Sequence, residues 1–109
     1  MAITYKVLGQ SSPLAATLTA AYTVPALTTA TVSTITVANQ SATANTFKIS
    51  VAVANAADDV KQYLYADISI PGYDTFATTI GITLGAGDVV RVYNTLVGCS
   101  FNIFGAENT

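Results

Sequence analysis

The sequence predicts an all-β protein: a single-domain antiparallel β-sandwich, jelly-roll-like, with about eight strands across residues 1–109. Three observations predict it. Apolar and polar residues alternate with period two almost from end to end, as in strands with one buried face. Val, Ile and Thr dominate these runs, which suits a pleated, half-buried surface. Turn signals recur about every 8–15 residues, a spacing typical of sandwiches and jelly rolls.

In the first strand Ile3, Tyr5 and Val7 alternate with Thr4, Lys6 and Leu8, and residues 9–13 break the pattern. Next, Leu18, Ala20, Tyr22 and Val24 alternate with Thr17, Thr19, Ala21 and Thr23, until Pro25 stops pairing. Residues 31–38 set Ile35 and Val37 against Thr34 and Thr36. After a polar turn at 39–45, Phe47, Ile49, Val51 and Val53 share one face and Lys48, Ser50 and Ala52 the other. Residues 55–61 form a connection with room for one helical turn. Leu64, Ala66, Ile68 and Ile70 then oppose Tyr63, Tyr65, Asp67 and Ser69, and Pro71-Gly72 turns the chain. Phe76, Thr78, Ile80, Ile82 and Leu84 form a long run in which Gly81 permits a bulge. A turn at 85–88 leads to Val90 and Val92 alternating with Arg91 and Tyr93. The last strand alternates Cys99, Phe101 and Ile103 with Ser100, Asn102 and Phe104.

Composition excludes several functions. The chain has 109 residues, 51% hydrophobic and only 9% charged, against about 25% charged in ordinary soluble domains. There is no histidine, which removes Ser-His and Cys-His nucleophile systems and the commonest metal ligand. A lone cysteine, Cys99, allows no internal disulfide or cysteine-based zinc cluster, and reads as a small packed hydrophobe. Net charge is −2, and the bases are Lys6, Lys48, Lys61 and Arg91, too few for a nucleic-acid footprint. No catalytic residue, metal or cofactor is expected. Residues 1–6 lack the features of a secretory signal, and no apolar run is long enough for a membrane helix.

The remaining constellations read as turns. Asp58 and Asp59 lack the alternate-position acids of a calcium loop. Asp74 and Asp88 follow glycine-marked turns and suit carboxylate bonds to nearby backbone N–H groups. Gly81, Gly85 and Gly87 precede a strand, whereas a phosphate loop needs a helix. Asn39-Gln40-Ser41 fits a polar turn.

Outward strand positions are mostly Thr, Ser, Ala and Tyr, with few of the charges that keep a solitary sheet protein from associating. Interfaces are depleted in Lys and Glu and enriched in Tyr. Tyr63, Tyr65, Asp67 and Tyr73 are therefore the candidate interface residues, with Tyr63 and Tyr65 placed on the polar side of their strand. The same deficit of charge predicts a homo-oligomer, with no nucleic acid and no membrane as partner.

The chain resembles a family of small all-β virion structural proteins of tailed bacteriophages, chiefly those of cyanobacteria and other aquatic bacteria. The resemblance runs in order through residues 5–10 (YKVLGQ), 22–26 (YTVPA), 35–39 (ITVAN), 47–51 (FKISV), 61–66 (KQYLYA), 70–71 (IP), 74–76 (DTF), 81–84 (GITL), 88–93 (DVVRVY) and 101–105 (FNIFG). It implies a capsid decoration or cement protein, made in the host cytoplasm and placed on the capsid exterior. Its implied partners are the major capsid protein and copies of itself, a trimer favoured. The alternative is a tail or fibre component that binds host-surface carbohydrate, with Tyr63, Tyr65, Tyr73 and Asn94 as its platform.

Overall fold

A computed structural model describes residues 2–109. Eight strands form: β1 (Ile3–Ser11), β2 (Thr19–Thr23), β3 (Thr29–Asn39), β4 (Asn45–Ala52), β5 (Tyr63–Ile70), β6 (Thr75–Leu84), β7 (Val89–Asn94) and β8 (Cys99–Asn108). Sheet I has the order β1-β8-β3-β6 and sheet II the order β2-β7-β4-β5. All neighbours are antiparallel. β1 pairs with β8, β2 with β7, β3 with β6 and β4 with β5. The chain is thus one long hairpin, β1–β4 running out and β5–β8 running back, rolled so that successive rungs alternate between sheets. That is the jelly-roll topology.

The two sheets meet across a core drawn mainly from the central strands: Val32, Ile35 and Val37 of β3, Phe47 and Ile49 of β4, Val90 and Val92 of β7, Phe101 and Ile103 of β8. Aromatic rings interleave between the layers. Phe47 of sheet II lies 5.2 Å from Phe76 and 6.1 Å from Phe101 of sheet I. Tyr65 sits edge-on to Phe76 at 5.4 Å. In β4, β6, β7 and β8, and in β3 from Thr34 onward, the inward and outward sets agree with the alternation in the sequence. Gly81 falls where β6 carries an extra residue against β3, between the pairs Val32↔Ile82 and Thr34↔Thr79.

Three strands depart from simple alternation. In β3 the extra residue Ser33 lies between the pairs Val32↔Gly105 and Thr34↔Phe104, so Val32 and Ile35 are both buried. In β1 an extra residue lies between Val7 and Gly9, so Leu8 drops into the core and Ile3, Tyr5 and Val7 stay exposed. In β5 there are two irregularities, between its pairings to Phe47 and Ile49 and to Ile49 and Ser50. Each extra residue inverts the phase of what precedes it. Leu64 and Ala66 consequently lie on the exposed side and Tyr65 faces the core. Asp67 occupies the bulge with φ 52°, a left-handed conformation that aspartate tolerates better than most residues.

The connection after β4 contains two single 3₁₀ turns, Val53–Asn55 and Val60–Gln62. Val53 is therefore outside its strand and exposed, contrary to the expected continuation of the Phe47–Ile49–Val51 face. This connection folds over the outside of sheet II. Arg91 Nη2 donates to Asn55 Oδ1 at 2.9 Å and to the Ala56 carbonyl at 2.8 Å. Beneath it Ser50 and Ala52 point away from the core and are still buried.

At the seam between β1 and β2, Tyr22 Oη donates to Glu107 Oε2 at 2.6 Å, and Lys6 Nζ donates to Glu107 Oε1 at 3.3 Å. The Tyr22 bond, aided by Lys6, holds the Glu107 carboxyl below its ordinary range. Burial and the facing carboxylate push the Tyr22 phenol up. Because the folded carboxyl is the more acidic, its contribution is present above the ordinary glutamate range and is lost as pH falls through the folded value. Glu107→Gln should lower stability at pH 7 by on the order of 1 kcal/mol, a charged hydrogen bond reduced by solvent screening. The difference from the unsubstituted protein should shrink as the pH is taken down to 3. Thermal unfolding at both pH values checks this, and an undiminished difference at pH 3 would contradict it.

Candidate functional site

The outer surfaces divide sharply in charge. Outward positions follow from pairing: Tyr5 faces Ala106, Val7 faces Phe104, Thr31 faces Thr83, Thr34 faces Thr79 and Thr36 faces Ala77. Among the described residues, the outer face of sheet I carries no Asp, Glu, Lys or Arg. Its acid and base, Glu107 and Lys6, pair with inward positions (Ala30 and Gly105) and meet at the seam. Threonines of β3 and β6 cover one half of this face, Asn102, Phe104 and Ala106 of β8 lie beside them, and an apolar strip of Ile3, Tyr5 and Val7 runs along its β1 border. Tyr5 is 82% exposed.

Sheet II carries the ions on its outer face. Lys48 Nζ lies 4.8 Å from the Tyr93 ring centre, 5.8 Å from that of Tyr63 and 3.8 Å from Asp67 Oδ1. Tyr63 Oη donates to Asp58 Oδ1 at 2.8 Å, and burial with that carboxylate raises the Tyr63 phenol. Asp59 caps the turn Val60–Gln62, its Oδ1 accepting from Lys61 N while Gln62 Oε1 accepts from Asp59 N. An open groove of about 710 Å³ lies between this segment and the sheet, lined by Lys48, Asp58, Asp59, Val60, Tyr63 and Ala66.

The structure therefore separates the candidate interface residues. Tyr63 and Asp67 share the outer face of sheet II around Lys48. Tyr65 turns inward, its hydroxyl 2.8 Å from Thr78 Oγ1, because the bulges of β5 invert its phase. Tyr73 lies in the β5–β6 turn at φ 57° and 75% exposed, beyond the far end of a strand whose eight residues span about 23 Å from Tyr63. Asn94, the fourth member of the expected carbohydrate platform, is 0% exposed. Those four residues form no common platform.

Tyr73 belongs instead to a second surface poor in charge. The β1–β2, β3–β4, β5–β6 and β7–β8 connections gather at one end of the sandwich, joined by Ala16 N to Asn94 O, Gln40 N to Gly98 O and Tyr73 N to Ser41 O. Leu14, Tyr73, Leu96 and Val97 project from it. Its one acid, Asp74, accepts from Thr75 N at 2.8 Å. At the opposite end Asp88 accepts from Gly85 N and Ala54 N, so both aspartates hold turns as expected.

Three buried asparagines hold this end; the sequence reading gave the side chains of Asn39 and Asn45 no role and placed Asn94 in a carbohydrate platform. Asn39 Nδ2 donates to the Thr43 and Pro71 carbonyls at 2.9 and 3.2 Å, and its Oδ1 accepts from Ser41 N. Asn45 Nδ2 donates to the Leu96 carbonyl at 2.7 Å and its Oδ1 accepts from Leu96 N. Asn94 Nδ2 donates to the Pro13 and Leu14 carbonyls and its Oδ1 accepts from Cys99 N. The available signal is position: each stands at a strand terminus beside a polar turn, where an amide can donate to and accept from the backbone. Cys99 is buried among them, and burial raises its thiol.

Among the described residues no three His, Cys, Asp or Glu side chains converge as metal ligands, and no helix is long and apolar enough to cross a membrane. The sequence matches no protein-family description and no curated protein.

Proposed function

We propose that the chain is a non-enzymatic structural component of a virion, a decoration protein of a tailed-bacteriophage capsid. In this reading it assembles with copies of itself, a trimer favoured, and clamps neighbouring units of the major capsid protein. The observation that carries the reading is the segregation of charge. One broad face lacks, and one end apart from Asp74 lacks, the ionic side chains that usually make up about a quarter to a third of a soluble domain's surface.

Dimensions assign the two surfaces different work. The protein measures 45 × 27 × 19 Å along its principal axes. The broad face then covers on the order of 1,200 Å², above the ~800 Å² per partner of a standard interface. The loop end covers roughly 500 Å², below that requirement. A single end is a weak clamp; several ends carried on one oligomer act together through effective concentration. The loop tips provide Leu14, Tyr73, Leu96 and Val97 as anchors. Their backbones are already fixed by the asparagines, so little ordering entropy remains to be lost on docking.

Contacts of this kind resist salt, since the screening length falls to about 3 Å at 1 M without touching apolar burial. Purified protein mixed with tailed-phage capsids lacking their decoration protein should co-sediment equally at 0.1 and 1 M NaCl. The Leu14→Asp/Val97→Asp double variant changes exposed positions only, so it should fold normally and lose binding by tenfold or more. Failure to co-sediment, or release by salt, would refute the assignment.

A further inference from the structure

We propose that the groove between the β4–β5 connection and the outer face of sheet II binds a neutral saccharide, Lys48 and Asp58 taking its hydroxyls and Tyr63 and Val60 its C–H surface. The inference goes beyond the virion reading and does not depend on it.

The groove has the size and the unspent chemistry of a ligand site. Its volume of about 710 Å³ falls within the roughly 300–1,000 Å³ of small-molecule clefts. Lys48, on the outer face of β4, lines it with a side chain 30% exposed. The rings of Tyr93 and Tyr63, 4.8 and 5.8 Å from Nζ, hold this ammonium by cation–π attraction. The Asp67 carboxylate pairs with it at 3.8 Å, too far for a hydrogen bond. Lys48 is therefore fixed in place while its N–H donors remain to be met by an oxygen ligand. On the connection, Asp58 Oδ1 accepts from Tyr63 Oη at 2.8 Å, which leaves Oδ2 to accept from a ligand.

Charge and shape select the ligand class. Asp58 and Asp59 line the groove against the single ammonium of Lys48, so an anion is repelled. A cation would meet Lys48. A purely apolar ligand would strip water from these ions without replacing its hydrogen bonds. A neutral polyol fits, because each hydroxyl both donates and accepts. One sugar can thus donate to Asp58 and accept from Lys48. The Tyr63 ring and Val60, which is 88% exposed, supply the apolar surface for its C–H side. An extended peptide has no such fit: Lys48, Tyr63 and Ala66 lie on strand faces, and the backbone groups that would pair with a peptide lie in the plane of the sheet. The groove wall is set in advance. Asp59 Oδ1 accepts from Lys61 N and Gln62 Oε1 accepts from Asp59 N, which fixes the turn that carries Val60 and lowers the ordering cost of binding. Of the four residues expected to form a carbohydrate platform, Tyr63 alone lies here, and its partners come from the connection.

Amide NMR titration of the full chain with cellobiose, maltose, lactose and mannobiose tests this, with digalacturonic acid as the acidic comparison. At least one neutral disaccharide should move the signals of residues 58–60, 63 and 66 saturably, and the acidic one should bind roughly tenfold more weakly. Lys48→Ala should weaken binding of the neutral sugar tenfold or more. Asp58→Asn keeps an oxygen for Tyr63 Oη and removes a charge, so it should narrow the preference over the acidic disaccharide by roughly threefold. No saturable shift with any neutral disaccharide up to about 50 mM, shifts confined to other surfaces, or a preference for the acidic sugar would overturn the inference. Saccharide binding by a protein that ignores capsids would remove the virion reading and leave this site standing. Capsid binding by a protein whose groove takes no neutral sugar would do the reverse.

Discussion

Phe47→Ala should destabilise the protein by about 3–5 kcal/mol, the range for removing a buried aromatic ring and leaving a cavity. Phe47 is fully buried and joins both layers: it stands on β4 of sheet II and meets Phe76 and Phe101 of sheet I at 5.2 and 6.1 Å. The edge-on and tilted geometries add about 0.5–1.5 kcal/mol per aromatic pair beyond area burial. The cavity cannot close easily, because its walls are strands pinned by ladders on both sides. Domains of this size are stable by only about 5–15 kcal/mol, so the loss removes a large share of the total. Denaturant unfolding should show a lower midpoint with an unchanged slope. Phe47→Leu, which keeps most of the volume, should cost less than half as much. A Phe47→Ala loss below about 1 kcal/mol would mean that the sheets do not pack through this ring.

The same ring shows what period two can and cannot reveal. Phe47, Ile49 and Val51 are recognisable as one face because β4 is a central strand that keeps strict alternation against β7, from Phe47↔Asn94 to Ala52↔Val89. A bulge can shift that face even in a central strand: in β3 the extra residue Ser33 leaves Val32 and Ile35, three apart, both inward. β1 and β5 border their sheets, accept extra residues, and change phase at each one. Alternation correctly groups Ile3 with Tyr5 and Val7, but periodicity alone leaves open whether that group meets the core or the outside. Leu8, one residue out of phase, supplies the burial that the strip does not. In β5 the second irregularity, at Leu64 between the pairs Ile49↔Tyr65 and Ser50↔Tyr63, separates Tyr65 from Tyr63, which the linear pattern places together.

The uncharged face is legible in the sequence as a property of the whole chain and not as a location. Scarcity of charge can be counted in the sequence. Its confinement to sheet II, the seam and the loops depends on which strands are neighbours, and the rolled hairpin decides that. Once β3 lies between β6 and β8, Thr31, Thr34 and Thr36 join Thr79 and Thr83 in one uncharged field. Tyr73 illustrates the reverse case. Chosen for its chemistry alone, it lies at the loop end, beside Asp74 and away from the other tyrosines.

Asn94 offers the sharpest test of how that loop end is built. Asn94→Ala removes one acceptor and two donated bonds, leaving the Cys99 N–H and the Pro13 and Leu14 carbonyls without their partner. Each buried group left unsatisfied costs about 1–3 kcal/mol, so a total loss of about 3 kcal/mol is expected, with amide exchange accelerated first in the β1–β2 and β7–β8 connections. Asn94→Asp separates hydrogen bonding from shape. The ionised carboxylate still accepts from Cys99 N but faces two carbonyl oxygens to which it cannot donate. Burial and those oxygens would raise the introduced carboxyl above its unfolded value. A raised folded value favours the protonated form, so this variant should become more stable relative to the native protein as pH falls through that value, and least stable above it. Native Asn94 carries no such dependence. Unfolding measured from pH 8 down to pH 4 would show the variant recovering part of its loss on the acid side, where the protonated acid can donate to one carbonyl. A loss that stayed constant across that range would mean that Asn94 fills space at the β7 terminus and that its amide does not hold the loops.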